Sequence, residues 1–367
     1  MDADFDAHYD QFVRGLDYLR RARVRAAGAP PLDAFAVSAI FCARHLTQAR
    51  GARTLAGVSG LQTFFTALLT IIAPILLVAG IAFGLGKRKI ISEQRSLARA
   101  SLYFFSPALA FVSLANSDVN THDFFIIIVF AVLMVALLGA LSWGVARALK
   151  FDRMLTSAFL LSVLFVNAGN YGIPFSQFAF GAEGVARAAI YFTVNSMLAN
   201  TVAVYIASAG HSDLRASLRA VLKMPLAYAA LLGLLFNLMQ WSLPAPILRA
   251  LELAAAAALP VMLVNLGLEM ARVRRRDYEW RVFLAAGIKL LIAPLVALAL
   301  AGALGMQGLT RSVSVIEASM PTAVMASLIA TEFRARSDFV TGAVLISTLG
   351  SAVTLTLLLL FLGYAPP

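Results

Sequence analysis

Charge is scarce in this chain of 367 residues. Asp, Glu, Lys and Arg make up 13% of it and hydrophobic residues 60%, against about 25% charged and 45–50% apolar in soluble domains. So little charge cannot cover a soluble body of this size, which excludes a soluble enzyme, a nucleic-acid-binding domain and a disordered protein. Cysteine is almost missing: Cys42 stands alone, so there is no internal disulfide framework and no cysteine metal cluster. The four histidines, His8, His45, His122 and His211, all lie outside the long apolar runs. Intramembrane metalloproteolysis, paired-histidine haem ligation and Ser/His catalysis therefore lack their parts. No GxxxxGK[ST] loop occurs, which excludes direct drive by ATP. The expectations are no catalytic residue, no metal, no cofactor and no nucleic-acid partner, with the lipid bilayer as solvent.

What is present is apolar length. At some 20 residues per crossing, the chain has room for about ten helices, read at 64–86, 96–116, 123–148, 154–178, 184–209, 223–241, 246–270, 281–304, 310–331 and 338–363. Residues 1–57 differ from the rest. They carry six aspartates against eight arginines and the Pro30-Pro31 pair, and the run Leu32 to Phe41 is too short to span. The acidic start is unlike a signal peptide. Two explanations stand side by side: an exported tail, or a start placed too far upstream, with Val58 as the native first residue. The domain reading is a tail over 1–57, one five-helix repeat over 58–210 and another over 211–367.

The net charge of +11 resolves by position. Basic connections follow the odd spans: Lys87, Arg88, Lys89 and Arg95; Arg147, Lys150 and Arg153; Arg215, Arg219 and Lys223; Arg272 with Arg274, Arg275, Arg276 and Arg281; Arg334 and Arg336. The even connections are acidic, balanced or neutral. Basic loops stay cytoplasmic, which puts both ends of a ten-helix core outside and the protein in a bacterial inner membrane as a multi-pass chain.

Two halves overlay at a constant offset. Ser106-Pro107-Ala108-Leu109 falls on Leu259-Pro260-Val261-Met262, and Asn195 to Thr201 falls on Thr348 to Thr354; Pro174 pairs with Pro321 after a shift of six residues. Five spans per half is odd, so the halves enter the membrane in opposite directions, the pattern of an inverted-repeat secondary transporter. Span four holds Asn167-Ala-Gly-Asn170-Tyr-Gly172-Ile-Pro174 and span nine Glu317-Ala-Ser319-Met320-Pro321-Thr322. Glycine costs about 1 kcal/mol and proline about 3 in a helix interior, so both helices are expected to break. Freed backbone groups must then line a buried or wet site, and half-helix ends there suit small ions. Within the spans, Lys289 and Glu317 are costly unless paired. They meet each other, or one attracts substrate while the other exchanges a proton; the bland alternatives are a snorkelling lysine and a local hydrogen bond. Glu252 and Glu269 read as interfacial, and Asn195, Asn200 and Asn265 as interhelical glue.

These motifs resemble the auxin efflux carrier family. The resemblance rests on Asn167 to Pro174 with Phe180-Gly181-Ala-Glu-Gly184, on Leu259-Pro-Val-Met-Leu-Val-Asn-Leu-Gly267, and on Ala318-Ser-Met-Pro321 with Ala330-Thr-Glu332-Phe333. It covers about residues 64–364. It implies an all-α polytopic membrane protein of ten transmembrane helices, an inverted 5+5 repeat with broken crossing helices four and nine, similar in architecture to bile-acid/sodium symporters. Substrate contacts would map to Asn167 or Asn170 with Gly172 beside Pro174, and to Ser319 and Thr322 beside Pro321. The expected function is a permease for a small organic anion, a mono- or dicarboxylate, with Lys289 and Glu317 for coupling or charge pairing. Proton coupling, sodium coupling and uniport stay open, and a homodimer is compatible. The other class in view is a membrane receptor or scaffold that binds a ligand without carrying it.

Overall fold

The computed structural model describes residues 60–91, 93–208, 222–272, 279–333 and 335–363. The expected tail with Cys42, His8 and His45 lies outside these, as do His211, Arg215, Arg219, Arg274, Arg275, Arg276 and Arg334. Among the described residues the chain is helical throughout. Its one departure is an isolated antiparallel bridge between Val166 and Thr322.

Seven helices are long and apolar enough to cross a membrane: α1 (Leu61–Lys87), α2 (Gln94–Ala115), α3 (Thr121–Ala148), α5 (Ala168–Ala207), α7 (Ala245–Arg272), α8 (Trp280–Ala303) and α11 (Ser337–Phe361). The other expected spans are shorter. Span six is α6 (Pro225–Leu238), and span nine is divided into α9 (Gly308–Ala318) and α10 (Val324–Glu332). Span four begins as α4 (Arg153–Leu164), stops, and resumes as α5. Helix α5 continues through what was read as span five, turning at Gly181, whose φ of 69° suits a residue without a Cβ.

Local chemistry accounts for these limits. Asn120 accepts the Asp123 N–H at 2.8 Å to open α3, and Asp152 accepts the Leu155 N–H at 2.8 Å to open α4. Among the described residues there are five wide turns; one, Ala199–Ala203 in α5, precedes no proline, and the other four lie over Leu68–Ile72, Ser101–Phe105, Ala168–Gly172 and Ile288–Ile292. Each of these four ends two residues before a proline: Pro74, Pro107, Pro174 and Pro294. Proline has no N–H and its ring crowds the carbonyl one turn back. One extra residue in the preceding turn relieves that clash and keeps the helix running. This corrects one expectation. The expected stretch Asn167 to Pro174 holds the break only at its first residue: the chain is non-helical at Phe165 to Asn167 and helical again from Ala168 through Pro174.

Helix α7 packs on α1 and α2, and α6 packs on α2, while α5 touches α2, α6 and α7 as well as α3 and α9, so the described helices pack as one compact unit. Lipid is as apolar as leucine, so small residues and close backbones carry much of the association. Ala79, Ala82 and Gly86 of α1 meet Gly267, Leu268 and Ala271 of α7; a Cβ on Gly267 would lie 2.1 Å from the Ala79 carbonyl oxygen. Gly233 of α6 sits close on the Phe111 carbonyl of α2, where a Cβ would lie 2.7 Å from the oxygen. Buried Arg187 joins three places: its Nε donates to Thr310 Oγ1 at 3.0 Å, Nη1 to Glu183 and Nη2 to Asp118 at 2.7 Å.

The α1–α7 seam yields a test. Gly267→Val should lower the thermal midpoint of the detergent-purified protein, with a cost of about 1–3 kcal/mol or more from overpacking. Gly80→Ala, where nothing lies within 4 Å of the new methyl, should leave the midpoint unchanged or raise it, since alanine favours a helix interior over glycine by about 1 kcal/mol. Equal midpoints for both variants would overturn the seam's role.

Candidate functional site

The two interrupted helices meet at their interruptions. The Asn167 N–H donates to the Pro321 carbonyl and the Ala323 N–H to the Phe165 carbonyl, both at 2.9 Å. Pro321 therefore lies opposite the Phe165–Asn167 stretch. Pro174 does not share that place, being the second residue of the straight helical part of α5, so the sequence pairing of the two prolines does not describe the crossing.

Side chains take up the backbone groups that the breaks release. Asn195 of α5 donates to the Val166 carbonyl at 3.0 Å, and Ser347 of α11 accepts the Thr322 N–H at 3.1 Å. The Thr322 hydroxyl donates to the Ser162 carbonyl at 2.7 Å, near the C-terminus of α4. Lys289, fully buried, reaches the Val163 carbonyl at 3.1 Å and the Ala318 carbonyl at 3.5 Å. An unpaired buried carbonyl costs about 1–3 kcal/mol, so these contacts hold the crossing closed.

A cavity of about 110 Å³ opens beside the crossing. Its polar lining is Ser101 and Ser106 of α2, Asn167 at the break, Asn170, Asn195, Ser196 and Asn200 of α5, and Asn265 and Glu269 of α7. Ala323, Val324 and Met325, around the start of α10, close another side, with Phe192 and Met262 as apolar walls. Among the described residues neither lysine, arginine nor histidine contributes to the lining. Asn170 Nδ2 donates to both carboxylate oxygens of Glu269, each at 3.3 Å. Asn167 Nδ2 and Asn265 Oδ1 are buried without a hydrogen-bond partner, a donor and an acceptor with spare capacity at one small cavity.

The residues singled out from the sequence thus fall into three places. Asn167 and Asn170 line the cavity. Pro321, Thr322 and Lys289 belong to the crossing itself, and Ser319 bonds back to Val315 at 2.7 Å in its own helix. Gly172, Pro174 and Glu317 lie elsewhere. The carboxylate of Glu317 packs on Gly172, where a Cβ would come within 2.2 Å of Oε2, and Glu317 Oε1 accepts the Ser176 hydroxyl at 2.9 Å. Lys289 and Glu317 form no ion pair; the lysine holds the carbonyl of the next residue, Ala318, while the glutamate turns to Ser176.

Sequence reasoning passed over Glu269, Asn265, Asn195 and Asn200, assigning the first to the membrane interface and the asparagines to helix–helix contacts. The missed signal is spacing. Asn265 and Glu269 stand four apart on one face of α7, as Ser196 and Asn200 do on α5, and polar pairs one turn apart in an apolar helix mark a face that avoids lipid.

Thr322→Val should strip the Ser162 carbonyl of its donor and cost about 1–3 kcal/mol, seen as a lower thermal midpoint. Thr70→Val, which removes an exposed hydroxyl bonded within its own helix, should change stability by less than about 0.5 kcal/mol. Matching midpoints would mean that the Thr322 hydroxyl does not support the crossing.

A family described as membrane transport protein matches residues 67–213 and 209–359 of this sequence. An uncharacterized transporter of Methanothermobacter thermautotrophicus is 32% identical over 268 residues, 72% of this chain and 88% of its own length. Another uncharacterized transporter, of Methanocaldococcus jannaschii, is 25% identical over 212 residues, 56% of this chain and 68% of its own. Auxin efflux carrier component 1 of Arabidopsis thaliana is 28% identical over 146 residues, covering 38% of this chain and 23% of the plant protein.

Proposed function

This chain belongs to the membrane transport protein family, and we propose that it carries a small organic anion, a carboxylate, across a bacterial inner membrane as a secondary transporter. The observation that carries this reading is the amide-lined cavity beside the helix crossing, walled by α2, α5, α7 and the start of α10. Several features support an anion there. The α10 start and the Asn167–Asn170 turn that opens α5 face the cavity, and helix N-termini carry a partial positive charge with free N–H groups. The unpartnered Asn167 amide adds a donor. The cavity's size matches a molecule of a few heavy atoms.

In this reading α4 with the first part of α5 makes one broken span and α9 with α10 the other. Ten crossings then arise as two oppositely oriented halves, with both ends of the core on the outer face. Rocking of α1, α2, α6 and α7 against the rest opens the cavity alternately to the two sides. Family membership and the apolar helices make it a multi-pass membrane protein; direction, compartment and cargo are the proposal.

An anion in this cavity meets Glu269. Two carboxylates a few ångströms apart repel strongly at low dielectric; among the described residues the cavity lining holds no basic side chain, and Arg272, three residues on along α7, acts on Glu269 from outside it. Productive binding therefore needs Glu269 protonated, with its proton shared toward the substrate. Uptake should rise as the pH falls, because the neutral form of the glutamate is the competent one.

The test is uptake of radiolabelled small mono- and dicarboxylates by proteoliposomes containing the full chain. Wild type should accumulate at least one of them, more at pH 5.5 than at pH 8. Asn170→Ala should cut uptake at least tenfold while leaving the amount of folded protein unchanged, and Glu269→Gln should flatten the pH profile. Absence of carboxylate flux at every pH, with flux of a neutral or cationic solute instead, would overturn the anion reading.

A further inference from the structure

Arg187 is the one arginine buried among the described residues, and three carboxylates surround it. Its Nη2 lies 2.7 Å from Asp118 and 3.9 Å from Asp123, and its Nη1 lies 3.0 Å from Glu183. Nε donates to Thr310 of α9, and Nη1 also donates to the Glu183 carbonyl at 3.0 Å, so α5 and α9 fix the guanidinium. Asp118 is held from elsewhere. It stands in the connection from α2 to α3, where Asn237 of α6 donates to the Ser117 carbonyl. The Asp118 N–H donates to the Glu183 carboxylate at 3.2 Å, and its side chain is 69% exposed. A connection anchored on α6 is thus tied to α5 and α9 at the surface.

This cluster and the cavity lie at different depths. Arg187 stands eight residues before Asn195 on α5, roughly 12 Å at 1.5 Å per residue. Tyr191, buried against Phe130 of α3, fills the α5 face between them. On α2 the lining residues Ala98 to Ser106 are in the half that follows the basic Lys87–Lys89 connection, whereas Asp118 follows the opposite end. On α7 they run from Met262 to Glu269, in the half that leads to Arg272. The cavity is displaced toward the basic connections and the Arg187 cluster toward an acidic one.

We propose that the contacts of Asp118 with Arg187 and Glu183 are a latch on the outer face, closed in this structure, which must part before the cavity opens to that side. The inference rests on the alternating-access reading above and adds the contact that holds one of its two states. One guanidinium offsets three carboxylates. Once Asp118 leaves Arg187 it is repelled by Glu183 and Asp123, so the latch either holds or parts.

The experiment places a reporter in the cavity, Ser196→Cys in a Cys42→Ser background of the full chain. A membrane-impermeant maleimide is applied to right-side-out and to inside-out vesicles. Should Ser196→Cys fail to fold, Ser106→Cys reports from the same cavity. The parent should react faster in inside-out vesicles. Asp118→Asn should raise the rate in right-side-out vesicles about two- to fivefold, the effect of a partly exposed ion pair, without raising it in inside-out ones. Glu183→Gln should act in the same direction. Glu279→Gln, which removes ion pairs to Arg281 and Arg336 at another connection, should change neither rate. Unchanged right-side-out labelling in both latch variants would overturn the proposal. So would a rise from both sides together, a comparable rise in Glu279→Gln, or a parent that reacts faster from outside. Equal labelling of the parent from both sides would overturn the latch and the rocking motion together. The assay needs no substrate, so missing carboxylate flux would count against the anion reading while the labelling still decides the latch.

Discussion

Two backbone hydrogen bonds, Asn167 N–H to Pro321 and Ala323 N–H to Phe165, are the constraint on which the remaining architecture depends. A helix that stops inside an apolar body leaves donors on one side of the break and acceptors on the other, and lipid offers neither partner. Here two broken helices answer each other's needs, strand against strand over a single bridge. The groups left over are claimed by side chains away from the breaks: Asn195 farther along α5, Ser347 of α11 and Lys289 of α8. Those three helices are thereby fixed around the crossing.

The same accounting separates structural from available polar groups. Thr322, Ser319 and Lys289 have their hydrogen-bonding capacity committed to backbone carbonyls, and they face no cavity. Asn167 is divided: its backbone closes the crossing, while its amide nitrogen remains unpartnered beside the cavity. Glu269 and Asn170 hold each other at 3.3 Å, a contact long enough to be exchanged for a ligand. The cavity thus gathers side chains with capacity to spare. The crossing beside it gathers those without.

Much of this was legible in the linear pattern. The apolar runs marked the long helices to within a few residues except α5, which runs over Ala168–Ala207 across the spans read at 154–178 and 184–209, and the clustering of Asn, Gly and Pro located both interruptions approximately. The detail of the first interruption was not legible, because proline has more than one outcome in a helix. It can end the helix, run on after a wide turn, as at Pro74, Pro107, Pro174 and Pro294, or stand inside an α-helix with no wide turn, as Pro260 does in α7. Pro321 does stand in non-helical backbone, and nothing in its immediate neighbours distinguishes it from the others.

Composition and hydrophobic length determined that this chain is a helical membrane protein, since too few charges exist to face water and the apolar runs match the thickness of a bilayer. Its motifs also placed it near the auxin efflux carriers. Only the tertiary structure decided which polar residues form a site. Residues 165–167 and 321–323 are remote in sequence and bond across a single bridge. Glu269, unremarkable as a carboxylate near the end of a long helix, becomes the one charged group in the cavity because α7 lays that face against the Asn167–Asn170 turn. The role of a polar side chain among apolar neighbours is set by which backbone groups nearby lack a partner, and that is a property of folded packing rather than of sequence order.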